Sequence, residues 1–249
     1  MAADLRVQQG GDPGPVLLLL HGLGATGDVW GGWPDLLRHR WPGRWIAPDL
    51  PGHGGSAPLE RYTFDGLAAA VAGLIAPDVP TVVLGHSLGG VVALELAAQR
   101  PAQVRGVVGL GIKVAWSDED LQRAQAMAAR PRAWYPSRAE AAARHLRVAG
   151  LDGLLAADDP AVNAGLVQHD GRWAPVLDPA AFGVGRPDMA GLLARCAAPV
   201  VLARGADDAM NTDEQLAALG VDTVTLPGVG HNAHVQDPEL TFSLLDSFQ

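Results

Sequence analysis

The chain has 249 residues, 48% of them hydrophobic and 18% charged, which excludes a disordered protein and favours one elaborated globular domain. Its 27 acidic residues outnumber the 18 basic ones, so the net charge is −9. No run of Lys or Arg forms a phosphate-binding stripe, so nucleic acid is not an expected partner.

The N-terminal sequence and the single cysteine predict a cytoplasmic location. Residues 1–14 have neither the basic region nor the apolar region of a secretory signal, and the run Val16–Leu20 is too short to cross a bilayer. Cys196 is the only cysteine, which excludes an internal disulfide and fits a reducing compartment. We expect no membrane insertion.

Short apolar runs bounded by Gly or Pro predict strands. Because the runs are apolar on both faces, they suit a mostly parallel sheet covered by helices on each side. In chain order they are Val16–Leu20, Trp45–Ala47, Thr81–Leu84, Val107–Leu110, Val200–Ala203 and Thr223–Leu226. Helix-compatible stretches lie near Gly27–His39, Tyr62–Ile75, Ser87–Gln99, Asp213–Leu219 and Pro238–Phe248. The alternation predicts an α/β fold with a doubly wound sheet, whose site lies at the carboxyl ends of the strands.

The stretch from Ile112 to Ala198 interrupts this alternation. It begins with two helix-compatible segments, Asp118–Arg130 and Arg138–Ala149, and continues as a loop-rich region. Unstructured connections of this length are uncommon in compact domains, so we interpret residues 112–198 as a cap over the carboxyl edge of the sheet. The core is then residues 1–111 and 199–249. The alternative is a pair of ordinary crossover helices with long loops.

The sequence Gly85-His86-Ser87-Leu88-Gly89 follows a predicted strand and precedes a predicted helix. G-x-S-x-G in this context is typical of a nucleophile elbow. The glycines are needed because a Cβ at either position would clash in the tight turn. The Leu88 N–H would then face a developing oxyanion. The alternative is a glycine-rich loop whose serine has no catalytic role.

A serine hydroxyl is a poor nucleophile unless a base takes its proton and a carboxylate holds that base. Asp207 and Asp208 follow the fifth predicted strand, and His231 follows the sixth, in the chain order Ser, Asp, His. His231 lies in a glycine-flanked loop and is the candidate base, with His234 as its rival. On this reasoning either aspartate could be the acid.

A second glycine-rich loop, His21–Gly24, directly follows the first predicted strand. A backbone N–H of this loop, that of Leu23, would complete an oxyanion hole opposite Leu88. His21 and His53 precede the nucleophile in the chain, so we expect them to brace their loops and not to act as the base.

Five motifs occur together in this chain: HGLG at 21–24, DLPGHGGS at 49–56, GHSLGG at 85–90, GADD at 205–208 and GVGHNAHVQDP at 228–238. In these motifs the chain resembles the α/β-hydrolase family over nearly its whole length. The resemblance implies Ser87 as nucleophile, His231 as base, an acid after strand seven and a helical cap between strands six and seven. The family commonly has one aspartate, as G-x-x-D, which selects Asp208 and leaves Asp207 as the alternative.

The predicted reaction is acyl transfer to water through an acyl-enzyme, without a metal or cofactor. The substrate would be a carboxylic ester or lactone, small to medium in size and largely apolar, because the cap region is rich in aromatic residues. The protein would act as a monomer or homodimer. Candidate substrate contacts are Gly22, His86, Lys113, Trp116, Trp134 and Met210, although His86 also fits a structural role.

Two other functions stay open. One is cleavage of a carbon–carbon bond in a ketone-containing acid by the same triad, and the other is non-catalytic ligand binding on this fold. Lys113, the only lysine, follows the fourth predicted strand and could bind a substrate carboxylate. The alternative is a solvated lysine paired with Asp118 or Glu119.

Overall fold

Residues 4–248 are described here in a computed structural model of the chain. The strands of this part of the chain are β1 (Val7–Gly11), β2 (Val16–Leu20), β3 (Arg44–Pro48), β4 (Thr81–His86), β5 (Val104–Leu110), β6 (Leu166–His169), β7 (Arg172–Pro175), β8 (Val200–Gly205) and β9 (Asp222–Leu226). Seven of them form one sheet in the order β1-β3-β2-β4-β5-β8-β9. Only β1 is antiparallel to its neighbour, so the predicted mostly parallel sheet is confirmed.

All of the predicted strands are present, and most are longer than the apolar run that identified them. The prediction missed β1, which is the sequence VQQGG. This strand lies at the edge of the sheet and is only partly buried, so it lacks the apolar run of the central strands. Polar residues are tolerated there because only one side of the strand is paired.

The helices of the described residues are α1 (Pro34–Arg40), α2 (Phe64–Val71), α3 (Leu88–Gln99), α4 (Asp118–Ala128), α5 (Arg138–Ala149), α6 (Pro160–Ala164), α7 (Met189–Arg195), α8 (Asp213–Ala217), α9 (Ala233–Gln236) and α10 (Pro238–Phe242). Short 3₁₀ turns occupy Gly27–Trp30, Ala72–Leu74, Pro179–Val184 and Ser243–Phe248. The helix predicted over 27–39 is therefore two pieces, since Gly31 and Gly32 precede Pro34 at the start of α1. No helix among residues 4–248 is both long and apolar enough to span a membrane.

The sheet is buried on both faces. In β2, Leu18 and Leu20 pack into one core with α3, while Leu17 and Leu19 pack into the other core with Trp33. These four leucines are completely inaccessible to solvent. Two separate cores around one sheet are what the continuous apolar run of this strand predicts, and they confirm the doubly wound arrangement.

Residues 112–198, the predicted cap, leave the sheet after β5 and return to it at β8. The resemblance implied an insertion between strands six and seven. In this sheet β5 and β8 are the fifth and sixth strands in chain order, so the insertion lies one strand earlier. In this segment α5 has the predicted bounds, and α4 ends two residues before the predicted end at Arg130.

The expectation of a loop-rich region after α5 was wrong for residues 166–175, where β6 and β7 form an antiparallel hairpin. Its turn holds Asp170 and Gly171, both with positive φ. Asp-Gly between two short strands is a strong hairpin signal because both residues tolerate this conformation. A search for apolar runs does not detect it, since both strands, LVQH and RWAP, mix polar with apolar residues and are only partly buried.

Candidate active site

Ser87 lies between the last residue of β4 and the first residue of α3, with φ 51° and ψ −114°. Among residues 4–248, Asp170 is the only other non-glycine residue with positive φ. A Cβ on Gly85 would collide with the Gly89 carbonyl, and a Cβ on Gly89 would collide with the Leu20 carbonyl. The steric reason predicted for the two glycines is therefore confirmed, and the serine occupies a strained turn of the kind found at functional sites.

Asp208 and His231 are in contact. The distance from Asp208 Oδ2 to His231 Nδ1 is 2.9 Å, and the Asp208 side chain is only 1% exposed against 21% for His231. Burial raises the pKa of Asp208, but the hydrogen bond and charge of His231, together with the Met210 N–H and the charge of Arg204, outweigh it, so the net pKa lies below the ordinary value. Asp207 is exposed and its N–H donates to Val229 O.

Contacts of the residues next to Ser87 bring His231 to the same end of the sheet. His86 Nε2 lies 2.9 Å from His231 O, and the two rings are 4.6 Å apart. A Cβ on Gly111 would lie 3.1 Å from His231 Nδ1, and the Ser87 N–H donates to Leu110 O, one residue before Gly111. Within residues 4–248 the Ser87 hydroxyl forms no hydrogen bond. Hydrogen bonds between catalytic groups often reach their short distances only when substrate binds.

The loop after β2 lies directly beside Ser87. A Cβ on Gly22 would lie 3.4 Å from Ser87 Cβ and 2.7 Å from His86 Nδ1, so only glycine fits there without displacement. Leu23 lines the same cavity as Ser87 and Leu88. Leu88 is the first residue of α3, where the backbone N–H has no partner inside the helix and the helix dipole favours negative charge.

Ser87 borders a cavity of about 160 Å³. Its lining combines Leu23, Phe64, Leu88, Val91, Trp116, Ala124, Phe182, Val184 and Pro187 with the single charged residue Lys113. Phe64, Val91, Ala124, Val184 and Pro187 were missed by sequence reasoning, because each is an ordinary apolar residue of a separate element and carries no motif.

Four of the predicted substrate contacts do not line this cavity. Gly22 lies beside Ser87 but is not among the lining residues. The Trp134 ring packs on His169 of the hairpin, at 5.9 Å between centroids, because the β6–β7 turn approaches it. Met210 is 44% exposed beside the acid loop, and its N–H donates to Asp208. His86 is buried beneath His231, which agrees with a structural role.

Lys113 lines the cavity and is also paired. Its Nζ lies 2.9 Å from Asp120 Oδ2 and 5.2 Å from the Trp116 ring. The predicted partners, Asp118 and Glu119, were wrong because Asp120 is the capping-box residue whose carboxylate turns back over the start of α4. Its hydrogen bond from Lys113 is the largest of the contacts that lower the pKa of Asp120 to about 2.

Because Asp120 already neutralises Lys113, we expect Lys113→Met to change KM for acidic and neutral esters alike. The measurement compares kinetics of the variant and the parent on a half-ester that carries a free carboxylate and on a neutral ester of the same length. A rise in KM confined to the acidic ester would instead assign Lys113 as a carboxylate-binding residue.

Four buried histidines surround this site without facing its cavity. His21 donates from Nδ1 to Gly22 O and accepts the Leu50 N–H at Nε2, so it joins two loops as expected. The His53 ring packs against the His21 ring, with 5.0 Å between the two centroids. His234, the predicted rival base, lies between Trp30 and His86, and neither of its ring nitrogens has a partner within the described residues.

Burial lowers the pKa of these histidines, to about 4 for His21, to about 3 for His53 and His234, and well below the ordinary value for His86. In the unfolded chain a histidine titrates near a pH of about 6.5. As the pH falls below that value, the unfolded state binds protons that the folded state does not, so the free energy of unfolding decreases. The loss of stability continues until the pH reaches the folded-state pKa values, and it is absent above the pKa of the unfolded chain.

Replacing His234 by phenylalanine should therefore reduce the loss of stability between about pH 7 and about pH 5 by about 2 kcal/mol, on a scale of about 1.4 kcal/mol per pH unit. Urea unfolding at the two pH values gives the difference. His169→Gln, at an exposed position of the hairpin, is the control and should leave the pH dependence unchanged. An equal loss of stability between the two pH values in the His234 variant and the parent would contradict this explanation.

Two buried asparagines tie the site loops to residues 112–198. Asn211, after the acid, donates to Ile112 O and accepts the Val114 N–H. Asn232, next to His231, donates to the carbonyls of Ala149 and Gly150 at the end of α5. The loops after β8 and β9, which carry Asp208 and His231, are thus fixed to residues 112–198.

Comparison with known proteins places this geometry in context. The model of the alpha/beta hydrolase family matches residues 17–244. The lipase LipV of Mycobacterium tuberculosis is 39% identical over 174 residues, which is 68% of this chain, and the chain spans only 63% of that lipase. A 2-succinyl-6-hydroxy-2,4-cyclohexadiene-1-carboxylate synthase of Serratia proteamaculans is 29% identical over 100% of this chain and 98% of its own length. The crystal structure of an E-2-(acetamidomethylene)succinate hydrolase has a TM-score of 0.83 at 26% identity, covering 98% of this chain and 94% of its own.

Proposed function

The chain belongs to the alpha/beta hydrolase family, and on that premise we propose that it is a serine hydrolase that cleaves a carboxylic ester or lactone through an acyl-enzyme. The observation that carries the proposal is the contact of buried Asp208 with His231 beside the strained turn of Ser87. LipV, the relative named as a lipase, supports the reaction class.

In the proposed mechanism Ser87 Oγ attacks the ester carbonyl carbon while His231 Nε2 takes the hydroxyl proton. Asp208 holds the imidazole by its Nδ1 and stabilises the imidazolium. The backbone N–H groups of Leu23 and Leu88 bind the oxyanion. His231 then donates the proton to the leaving alcohol. In the second half of the reaction His231 takes a proton from water, the water oxygen attacks the acyl carbon, and the bond to Ser87 Oγ breaks as His231 returns the proton to Oγ.

We propose that residues 112–198 form a cap that closes the cavity over Ser87. Trp116, Phe182 and Val184 come from this segment, while Leu23 and Leu88 come from the core. The volume of about 160 Å³ is close to the ~150 Å³ of a cavity that holds benzene, so the part of the substrate bound there is about that size and apolar.

The experiment is hydrolysis of p-nitrophenyl esters of straight-chain acids of increasing length. We expect turnover of the short esters and a fall in kcat/KM once the acyl chain exceeds the cavity. A matching series of lactones distinguishes the two substrate classes. A protein that binds these compounds without releasing p-nitrophenol would instead be a non-catalytic binder.

A second candidate reaction rests on the Serratia relative, which is named a synthase and aligns over the whole chain. The same triad would then act on a ketone-containing acid and break a carbon–carbon bond. Turnover of vinylogous diketones by a protein that leaves esters untouched would favour this reaction over ester hydrolysis.

A further inference from the structure

A second cavity, of about 320 Å³, lies within residues 112–198 and is lined by four arginines. Arg130 and Arg132 follow α4, and Arg144 and Arg147 come from α5. No Asp or Glu side chain is among the lining residues. In the sequence these arginines are spread over a loop and a helix, so they formed no visible cluster.

None of the four guanidinium groups has a carboxylate in direct contact. Within residues 4–248 none of them forms an ion pair, whereas six other arginines do: Arg6, Arg38, Arg40, Arg123, Arg195 and Arg204. Glu140 stands one turn before Arg144 on α5 but makes no ion pair with it. Arg132 donates to Val176 O and Arg147 to Ala143 O, both uncharged acceptors.

A concentration of unpaired positive charge is unexpected in a chain whose net charge is −9. Like charges in one concave site repel one another, and the repulsion is relieved when an anion binds between them. Guanidinium groups are suited to this because their forked donors match the oxygens of a carboxylate or a phosphate.

This cavity adjoins the one that contains Ser87. Phe182 lines both cavities. Val148, another lining residue of the arginine cavity, packs on the loop after β2, where a Cβ on Gly24 would lie 2.6 Å from Val148 Cγ1. Apolar side chains, among them Met127 and Leu177, complete the arginine cavity, so it can also hold part of a hydrocarbon chain.

We propose that the arginine cavity binds an oxyanion, a carboxylate or a phosphate, at the far end of the substrate whose ester carbonyl reaches Ser87. This deepens the proposed hydrolase function and rests on it. The substrate class is then an ester with an apolar middle and an anionic end remote from the scissile bond.

The test uses three methyl esters of one chain length: monomethyl suberate with a free carboxylate, the methyl ester of the corresponding ω-hydroxy acid, and the phosphate monoester of that hydroxy ester. Steady-state kinetics are measured for the parent, for Arg144→Gln combined with Arg147→Gln, and for Arg130→Gln. The matched control is Arg123→Gln, on exposed surface of α4 outside the cavity.

We expect the double variant to raise KM at least about tenfold for one or both anionic esters while kcat and the neutral ester are unaffected, a loss of the size expected for a charge-assisted contact. Arg130→Gln should act in the same direction, and Arg123→Gln should change nothing. Whichever anionic ester responds more strongly identifies carboxylate or phosphate as the ligand. Equal kinetics of the parent and all variants on the three esters would overturn the proposal.

Calorimetric binding separates this proposal from the proposed function. Monomethyl suberate and the phosphate monoester are each titrated into Ser87→Ala protein with and without the two α5 substitutions. Weaker binding with the substitutions supports the arginine site even if no ester is turned over, which would contradict only the hydrolase function. Should the double variant fail to fold, Arg130→Gln in the Ser87→Ala background gives the same comparison, and unchanged affinity there contradicts the arginine site.

Discussion

Replacing Ser87 by alanine is expected to lower kcat for p-nitrophenyl acetate by about a millionfold, the scale on which loss of a triad nucleophile acts. The fold should persist, because Ser87 contributes little packing and alanine meets the same strain at φ 51° that serine does. Near-identical thermal unfolding of the variant and the parent would show that the loss lies in the chemistry.

Covalent labelling with a fluorophosphonate identifies the nucleophile directly. The parent should carry the label on Ser87, and the Ser87→Ala variant should carry none. Ser243→Ala is the matched control, since the Ser243 hydroxyl donates to Leu240 O and is far from Ser87 in the sequence. This variant should keep full labelling and turnover. A label on any other residue of the parent would contradict the assignment.

Asp208→Asn should reduce kcat by about ten-thousandfold, because an amide neither fixes the imidazole tautomer nor stabilises the imidazolium. The carboxylate is almost completely buried and contacts His231 at 2.9 Å, so the substitution removes the charge that His231 Nδ1 contacts.

Asp207→Asn is the control for this substitution, since it makes the same chemical change one residue earlier. Asp207 is exposed, and its hydrogen bond to Val229 O is made by the backbone N–H, so kcat should change by less than about tenfold. If the two variants behave in the reverse order, the acid has been assigned to the wrong aspartate.

Local sequence constraints explain why the turn at Ser87 and the proximity of Asp208 to His231 could be predicted. The turn at Ser87 requires glycine on both sides for steric reasons, so its conformation is written in five consecutive residues. Asp208 and His231 follow two strands of one parallel sheet, and parallel order alone brings the ends of those strands together.

The cavity could not be predicted in the same way because its walls come from distant parts of the chain. Phe64 begins α2 and Phe182 belongs to a 3₁₀ turn, and nothing in either sequence neighbourhood indicates that both line the cavity that Ser87 borders. The partner of Lys113 depends on which carboxylate of Asp118–Asp120 turns back to cap α4, a choice made by side-chain geometry within one helical turn.

The two buried asparagines bear on any attempt to exchange residues 112–198 for the corresponding segment of another alpha/beta hydrolase. Asn211 and Asn232 belong to the core by chain position, yet their amides are satisfied by backbone groups of Ile112, Val114, Ala149 and Gly150. A chimera joined at residues 112 and 198 would leave both amides without hydrogen-bond partners, unless the incoming segment presents backbone groups at the same places. The transplantable unit is therefore residues 112–198 together with these two side chains, and a chimera that ignores them would disturb the loops that hold Asp208 and His231.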